Sequence, residues 1–156
     1  MQLISAGSAG MVHSEENPHD AVEHNYQMWL VPDRPGTDSA HHERGFSPDE
    51  RQGQFRGYVA PYTDAEAGDG GPMPINTDAY IYAGLFAKGD AVQHALAPGR
   101  GAWVQVVEGM VEGAGVTLQS GDGAGVTNAD ELRFEFVAES EVLLFDLRMD
   151  AERLWM

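Results

Sequence analysis

His13 and Glu15, separated by Ser14, are the residues of this chain best placed to do chemistry, because an extended backbone puts positions i and i+2 on one face. An imidazole nitrogen and a carboxylate oxygen aimed the same way suit a borderline divalent ion such as Fe(II), Mn(II), Ni(II) or Zn(II). On a barrel strand both would point inward. A mononuclear centre needs three or four protein donors, so two are half of a site. His19 and His24 would complete a set of three His and one Glu, but His19 follows Pro18 in turn-forming sequence, and a surface position is the expectation for both. His41 and His42 are adjacent in a polar stretch. Extended, they face opposite ways, and both are expected to be solvent-exposed. The acidic loop at residues 64–69 lacks the alternating ligands of a calcium loop and reads as a solvated turn. Asp122, between Gly121 and Gly123, reads as a turn residue. No Ser-His-Asp arrangement and no phosphate-cradling Gly-x-x-x-x-Gly-Lys motif is present.

Composition narrows the classes. The chain has 156 residues, 42% of them hydrophobic, with three Trp and six Phe, enough for one ordinary core. Cys is absent, which removes disulfides, thiolate metal sites and cysteine nucleophiles. The formal charge of −16, from 25 acidic and nine basic residues, repels phosphate backbones and anionic lipid, so nucleic acid and membrane are excluded as expected partners. Only Lys88 among the cations is a lysine. Dispersed acid with scarce lysine points to a halophilic origin, in which salt screens the surface repulsion. The expected result is an unfolding midpoint that rises from low salt to molar KCl; a midpoint indifferent to salt rejects the idea. The N-terminus has no basic region followed by an apolar run, and a cytoplasmic location is the expectation.

Glycine, at 19 residues, clusters with Pro, Asp and Ser between short segments rich in Val, Tyr, Phe and Leu, the pattern of an all-β chain. Strands are expected at residues 23–31, 55–60, 79–86, 103–109, 115–118, 123–126, 132–136 and 141–147. A short helical turn is expected after Ser47-Pro48-Asp49-Glu50, and a last helical turn or two at residues 149–156. Such spacing signals a sandwich or barrel. Tyr80, Tyr82, Phe86 and Trp103 could wall a pocket for a flat ring system, core packing being the plainer role for each.

Four blocks in order carry a resemblance. Trp103-Val104-Gln105-Val106-Val107-Glu108-Gly109, Leu118-Gln119-Ser120-Gly121-Asp122-Gly123-Ala124 and Glu141-Val142-Leu143-Leu144-Phe145-Asp146-Leu147 resemble the C-terminal cupin of pirin-family proteins. Ser5-Ala6-Gly7, His13-Ser14-Glu15, Asn17-Pro18 and Tyr26-Gln27-Met28-Trp29 resemble the end of that family's first cupin, with one extra residue before His13. The resemblance implies a bicupin of two jelly-roll barrels. Residues 1–45 would be a remnant of the N-terminal, metal-binding cupin with a linker, and residues 46–156 a C-terminal cupin domain without a metal motif. It makes His13 and Glu15 the second pair of ligands to Fe(II) or another divalent metal. The first pair, two His flanking one residue, would lie upstream, before this chain starts, so a cofactor is expected only if the site is completed.

The activity implied is quercetin 2,3-dioxygenase-like, with a flavonoid-like small molecule as substrate and this chain alone incomplete or inactive. No acid-base residue is assigned; Glu16 is merely near in sequence. Two other readings stand beside it: a non-enzymatic cupin that binds or scaffolds, and one half of an assembly. In the assembly a partner chain or a homo-oligomer closes the open N-terminal half-barrel. Counting back from Gly109 as the glycine that ends a cupin metal motif puts the ligand positions of the second barrel on Ala95, Ala97 and Gly101, none of which can ligate. His94, one place off, would face away, leaving a metal-free structural copy.

Overall fold

The computed structural model describes residues 1–8, 10–65, 70–113 and 115–150. Its strands, in chain order, are β1 (Gln2–Ser5), β2 (Ala40–Glu43), β3 (Arg56–Pro61), β4 (Met73–Ile75), β5 (Ala79–Phe86), β6 (Ala91–Ala95), β7 (Arg100–Glu108), β8 (Met110–Gly113), β9 (Val116–Gln119), β10 (Gly123–Val126), β11 (Glu131–Phe136) and β12 (Ser140–Arg148). A six-stranded sheet in the order β10-β7-β12-β5-β3-β4 packs against a four-stranded sheet in the order β6-β11-β8-β9. This is the all-β cupin jelly roll.

Period-two alternation builds the layer between the sheets. On β12, Ser140, Val142, Leu144 and Asp146 are buried. On β7 the inward set is Ala102, Val104 and Val106, and on β11 it is Leu132, Phe134 and Phe136. Each fully buried Val, Leu or Phe contributes roughly 1.5–3 kcal/mol by leaving water. Phe86 stacks on Phe136 at 3.9 Å, and Phe55 meets Phe86 and Phe134 edge-on at 5.1 and 5.5 Å, closing one side of the core.

The other face of the six-stranded sheet is covered by the N-terminal segment. β1 and β2 pair antiparallel as a separate two-stranded sheet, and Leu3 packs with Val59, Met73 and Ile81 in a second cluster that Leu30 and Phe46 join. Pro48–Arg51 forms one 3-10 turn, its start held by the Glu50 carboxylate, which accepts from the Ser47 N–H at 2.7 Å.

Several expectations fail for identifiable reasons. Residues 23–31 form no strand. The segment has strand-forming residues but no neighbouring strand to hydrogen-bond, and Trp29 stands 88% exposed. His41 and His42 lie in β2 rather than a linker. His41 is exposed as expected, but His42 pairs in register with buried Leu3 and is half-buried, its Nε2 lacking a partner among the described residues. Strands β1, β2, β4, β6 and β8 have no counterpart among the expected strands; β6 and β8 are four or five residues long and read as turn-flanked polar stretches. The expected helix at residues 149–156 and the loop at 64–69 fall largely outside the described residues.

Candidate functional site

His13 and Glu15 sit in a stretch without regular secondary structure, with side chains 40% and 60% exposed. The backbone places them on one side, as their spacing requires: His13 Nε2 lies 3.8 Å from Glu15 Oε1. His13 Nε2 also lies 3.5 Å from Gln27 Nε2. His19 is held in a turn by its N–H donating to Asn17 Oδ1 at 3.0 Å, while Asn17 Nδ2 donates to the Ala21 carbonyl at 2.8 Å. His24 packs on Tyr26 at 5.1 Å. Neither His19 nor His24 joins the pair. Among the described residues no group of three or more His, Asp or Glu comes close enough to hold a metal ion. The donors therefore fit half of a borderline-metal site, one nitrogen and one carboxylate, and do not close it.

A polar cluster absent from the sequence expectations occupies one mouth of the jelly roll. Register decides its direction: His94 of β6 pairs with Leu132, whose side chain is buried between the sheets, so His94 faces inward. Ala95 pairs with Glu131 and is exposed. The frame counted from Gly109 is thus one residue out of phase with the barrel interior.

His94 Nε2 meets Asp146 Oδ2 at 3.0 Å, tying the four-stranded sheet to the six-stranded one. Arg100 donates from Nε to Asp146 Oδ1, from Nη1 to Asp78 at 2.6 Å and from Nη2 to the Asp146 carbonyl at 3.0 Å. Burial pushes the Asp146 carboxyl up, but hydrogen bonds from His94 and Arg100, with their charges, outweigh it and hold it below the ordinary value. An ionised Asp146 only accepts, so the proton lies on His94 Nε2.

Tyr80 and Tyr82, on the same face of β5, continue the cluster. The Tyr80 ring lies under the Arg100 guanidinium at 4.9 Å, and its hydroxyl, donating to Asp64, is pushed up to about 12 by that bond. Burial first, and then the Asp146 charge, raises Tyr82. Of the four aromatics that could share a pocket, Phe86 is core and Trp103 lies 43% exposed, leaving Tyr80 and Tyr82 at the mouth. One signal in the sequence marks this cluster. Asp146 interrupts the apolar run of residues 142–147 at an inward-facing position, where a carboxylate requires partners.

Residues 64–147 match the profile of the quercetinase C-terminal cupin domain. The chain belongs to the pirin family. It is 33% identical over 147 residues to the quercetin 2,3-dioxygenase of Escherichia coli, covering 94% of this chain and 60% of that protein. To the pirin-like protein of Caulobacter vibrioides it is 28% identical over 146 residues, covering 94% and 61%. The crystal structure of the bacterial pirin YhhW from Escherichia coli in complex with nickel(II) superposes with a TM-score of 0.67 at 28% identity, over 77% of this chain and 48% of that one. The chain thus spans about three fifths of the length of the curated relatives it matches. No helix among the described residues is long and apolar enough to cross a membrane.

Proposed function

We propose that this pirin-family chain serves a metal-dependent oxygenase of quercetin-like flavonols, with His13 and Glu15 as two metal ligands and a partner polypeptide supplying the rest. The observation that carries the reading is the His13–Glu15 pair, 3.8 Å apart on one side of an exposed segment, with no third donor beside it among the described residues. Names support it as well: a relative at 33% identity is a quercetin 2,3-dioxygenase, and YhhW is described with nickel(II). A divalent ion, Fe(II) by resemblance, would supply the redox and Lewis-acid chemistry once its ligand set is complete.

What the chain's own residues do is hold one nitrogen and one oxygen donor on a segment that lacks a sheet. Val12 and Val22 are 99% exposed and Trp29 88%, in a strandless stretch with strand-forming composition. A partner that adds strands there would cover these side chains and immobilise the pair. The partner that fits is a polypeptide corresponding to the two fifths of the relatives that this chain does not match.

The test uses the unmatched portion of the Escherichia coli quercetin 2,3-dioxygenase, expressed as a separate fragment, with Fe(II), dioxygen and quercetin. The chain alone is expected to leave the flavonol absorbance unchanged. The mixture is expected to consume quercetin faster than the fragment alone, and to lose that gain in a His13→Ala/Glu15→Ala variant. A mixture no faster than the fragment rejects the proposal. Binding of quercetin without consumption would then favour the non-enzymatic reading, for which the open ligand set is the motive.

A further inference from the structure

The mouth of the jelly roll has groups that a purely structural copy does not need. His94, Phe55 and Tyr82, with Gln54, Val92 and Gln93, line a pocket of about 380 Å³, on elements separate from the His13–Glu15 segment. Phe55 and Tyr82 stand edge-on to the imidazole at 6.4 and 5.0 Å, forming two aromatic walls around it. We propose that this pocket is a binding site for a small, neutral, planar phenol, whose hydroxyl donates to His94 Nδ1 while its ring packs between Phe55 and Tyr82.

Four observations converge on that ligand. First, the imidazole is fixed: Asp146 accepts a hydrogen bond from Nε2–H, and Arg100, itself tied to Asp78, holds the carboxylate in place. A neutral His94 donating from Nε2 leaves Nδ1 as a lone-pair acceptor. Second, that acceptor is open. Nδ1 has no partner among the described residues and is not sealed from solvent, and the pocket is what His94 lines. Third, the Tyr82 hydroxyl likewise has no partner among the described residues, so a second polar group is available at the rim. Fourth, charge selects against anions. The one guanidinium in the cluster is already saturated by two carboxylates, and the whole chain carries −16. Flat rings suit aromatic walls, and a single well-placed acceptor orients them.

This site does not rest on the metal-dependent reading, and its test excludes metal. The full chain is titrated in the presence of chelator with unsubstituted phenol at about pH 8, where a phenol (pKa about 10) and an ordinary imidazole (about 6.5) are both neutral, and followed by the ligand's proton signals and by the imidazole nitrogen signals of His94. Saturable binding of one phenol per chain is expected, with the Nδ1 signal of His94 moving as the site fills. His94→Phe keeps a flat ring but removes the acceptor, and is expected to weaken binding by roughly tenfold or more, the loss of one good hydrogen bond. Val92→Phe, on the same inward face of β6 as His94, fills the pocket while leaving the His94–Asp146 pair alone, and is expected to do the same even if His94→Phe fails to fold. The proposal is overturned by any of three results: no saturation, saturation without movement of the His94 signal, or affinity unchanged in Val92→Phe.

Discussion

Replacing Asp146 by alanine is expected to cost about 3–5 kcal/mol of folding stability, read as a lower denaturant midpoint at unchanged slope. The side chain is 7% exposed and accepts from both His94 and Arg100, whose own side chains are 13% exposed. Truncation leaves the guanidinium with Asp78 as its one carboxylate and the main-chain carbonyl of residue 146, and an imidazole N–H facing nothing, between sheets that the bridge joined. Asp146→Asn, which keeps the shape and one acceptor, is expected to cost less. The pH dependence has a defined sign. Asp146 is held below the ordinary 3.8, so its contribution is fully present above that value and is lost as the pH falls through the lower folded-state value. A stability curve for the Asp146→Asn variant that falls as steeply in acid as the parent would contradict this assignment.

Gly109→Ala is expected to destabilise the chain by about 3–4 kcal/mol, combining left-handed backbone strain with overpacking. Gly109 has φ +95° at the turn where the chain leaves β7 in one sheet for β8 in the other. A Cβ there would stand 2.2 Å from the Glu139 carbonyl oxygen and 2.3 Å from Ser140 Oγ. Neither can yield easily, since Ser140 is buried and its hydroxyl accepts from the Met110 N–H at 3.1 Å. Gly121 supplies the control. It has φ +88°, and among the described residues no atom lies within 4 Å of where its Cβ would stand, so Gly121→Ala is expected to cost only about 1–2 kcal/mol of backbone strain. Equal losses at the two glycines would show that contact with Ser140 contributes nothing.

The barrel was legible because its long strands carry their own alternation. β5 and the middles of β7, β11 and β12 lie where Val, Ile, Leu and Phe recur between glycine-rich turns. What the sequence hid depends on partners distant along the chain. Residues 23–31 have the composition of a strand, yet a strand exists only with a ladder to join. His42 became half-buried because β2 pairs with β1, a strand remote in sequence, and no local pattern announces that register.

The candidate sites divide in the same way. The spacing of His13 and Glu15 is a local property, and the 3.8 Å pair follows from it. The His94–Asp146 contact joins residues 52 apart across two sheets, and phase mattered more than spacing: a count from Gly109 placed the inward positions one residue from the true ones. The inward-facing Leu132, Phe134 and Phe136 of β11, paired with β6, would have corrected that phase.

The central claim is that His13 and Glu15 are half of a divided metal site, and metal content tests it most directly. The chain, purified in high salt and loaded with Fe(II) under anaerobic conditions, is assayed alone and with the fragment matching the remainder of the Escherichia coli relative. The same is done for the His13→Ala/Glu15→Ala variant. The account predicts little retained metal in the chain alone, near-stoichiometric metal in the complex beyond what the fragment holds by itself, and loss of that gain in the variant. Metal in the complex that is indifferent to the double substitution would contradict it.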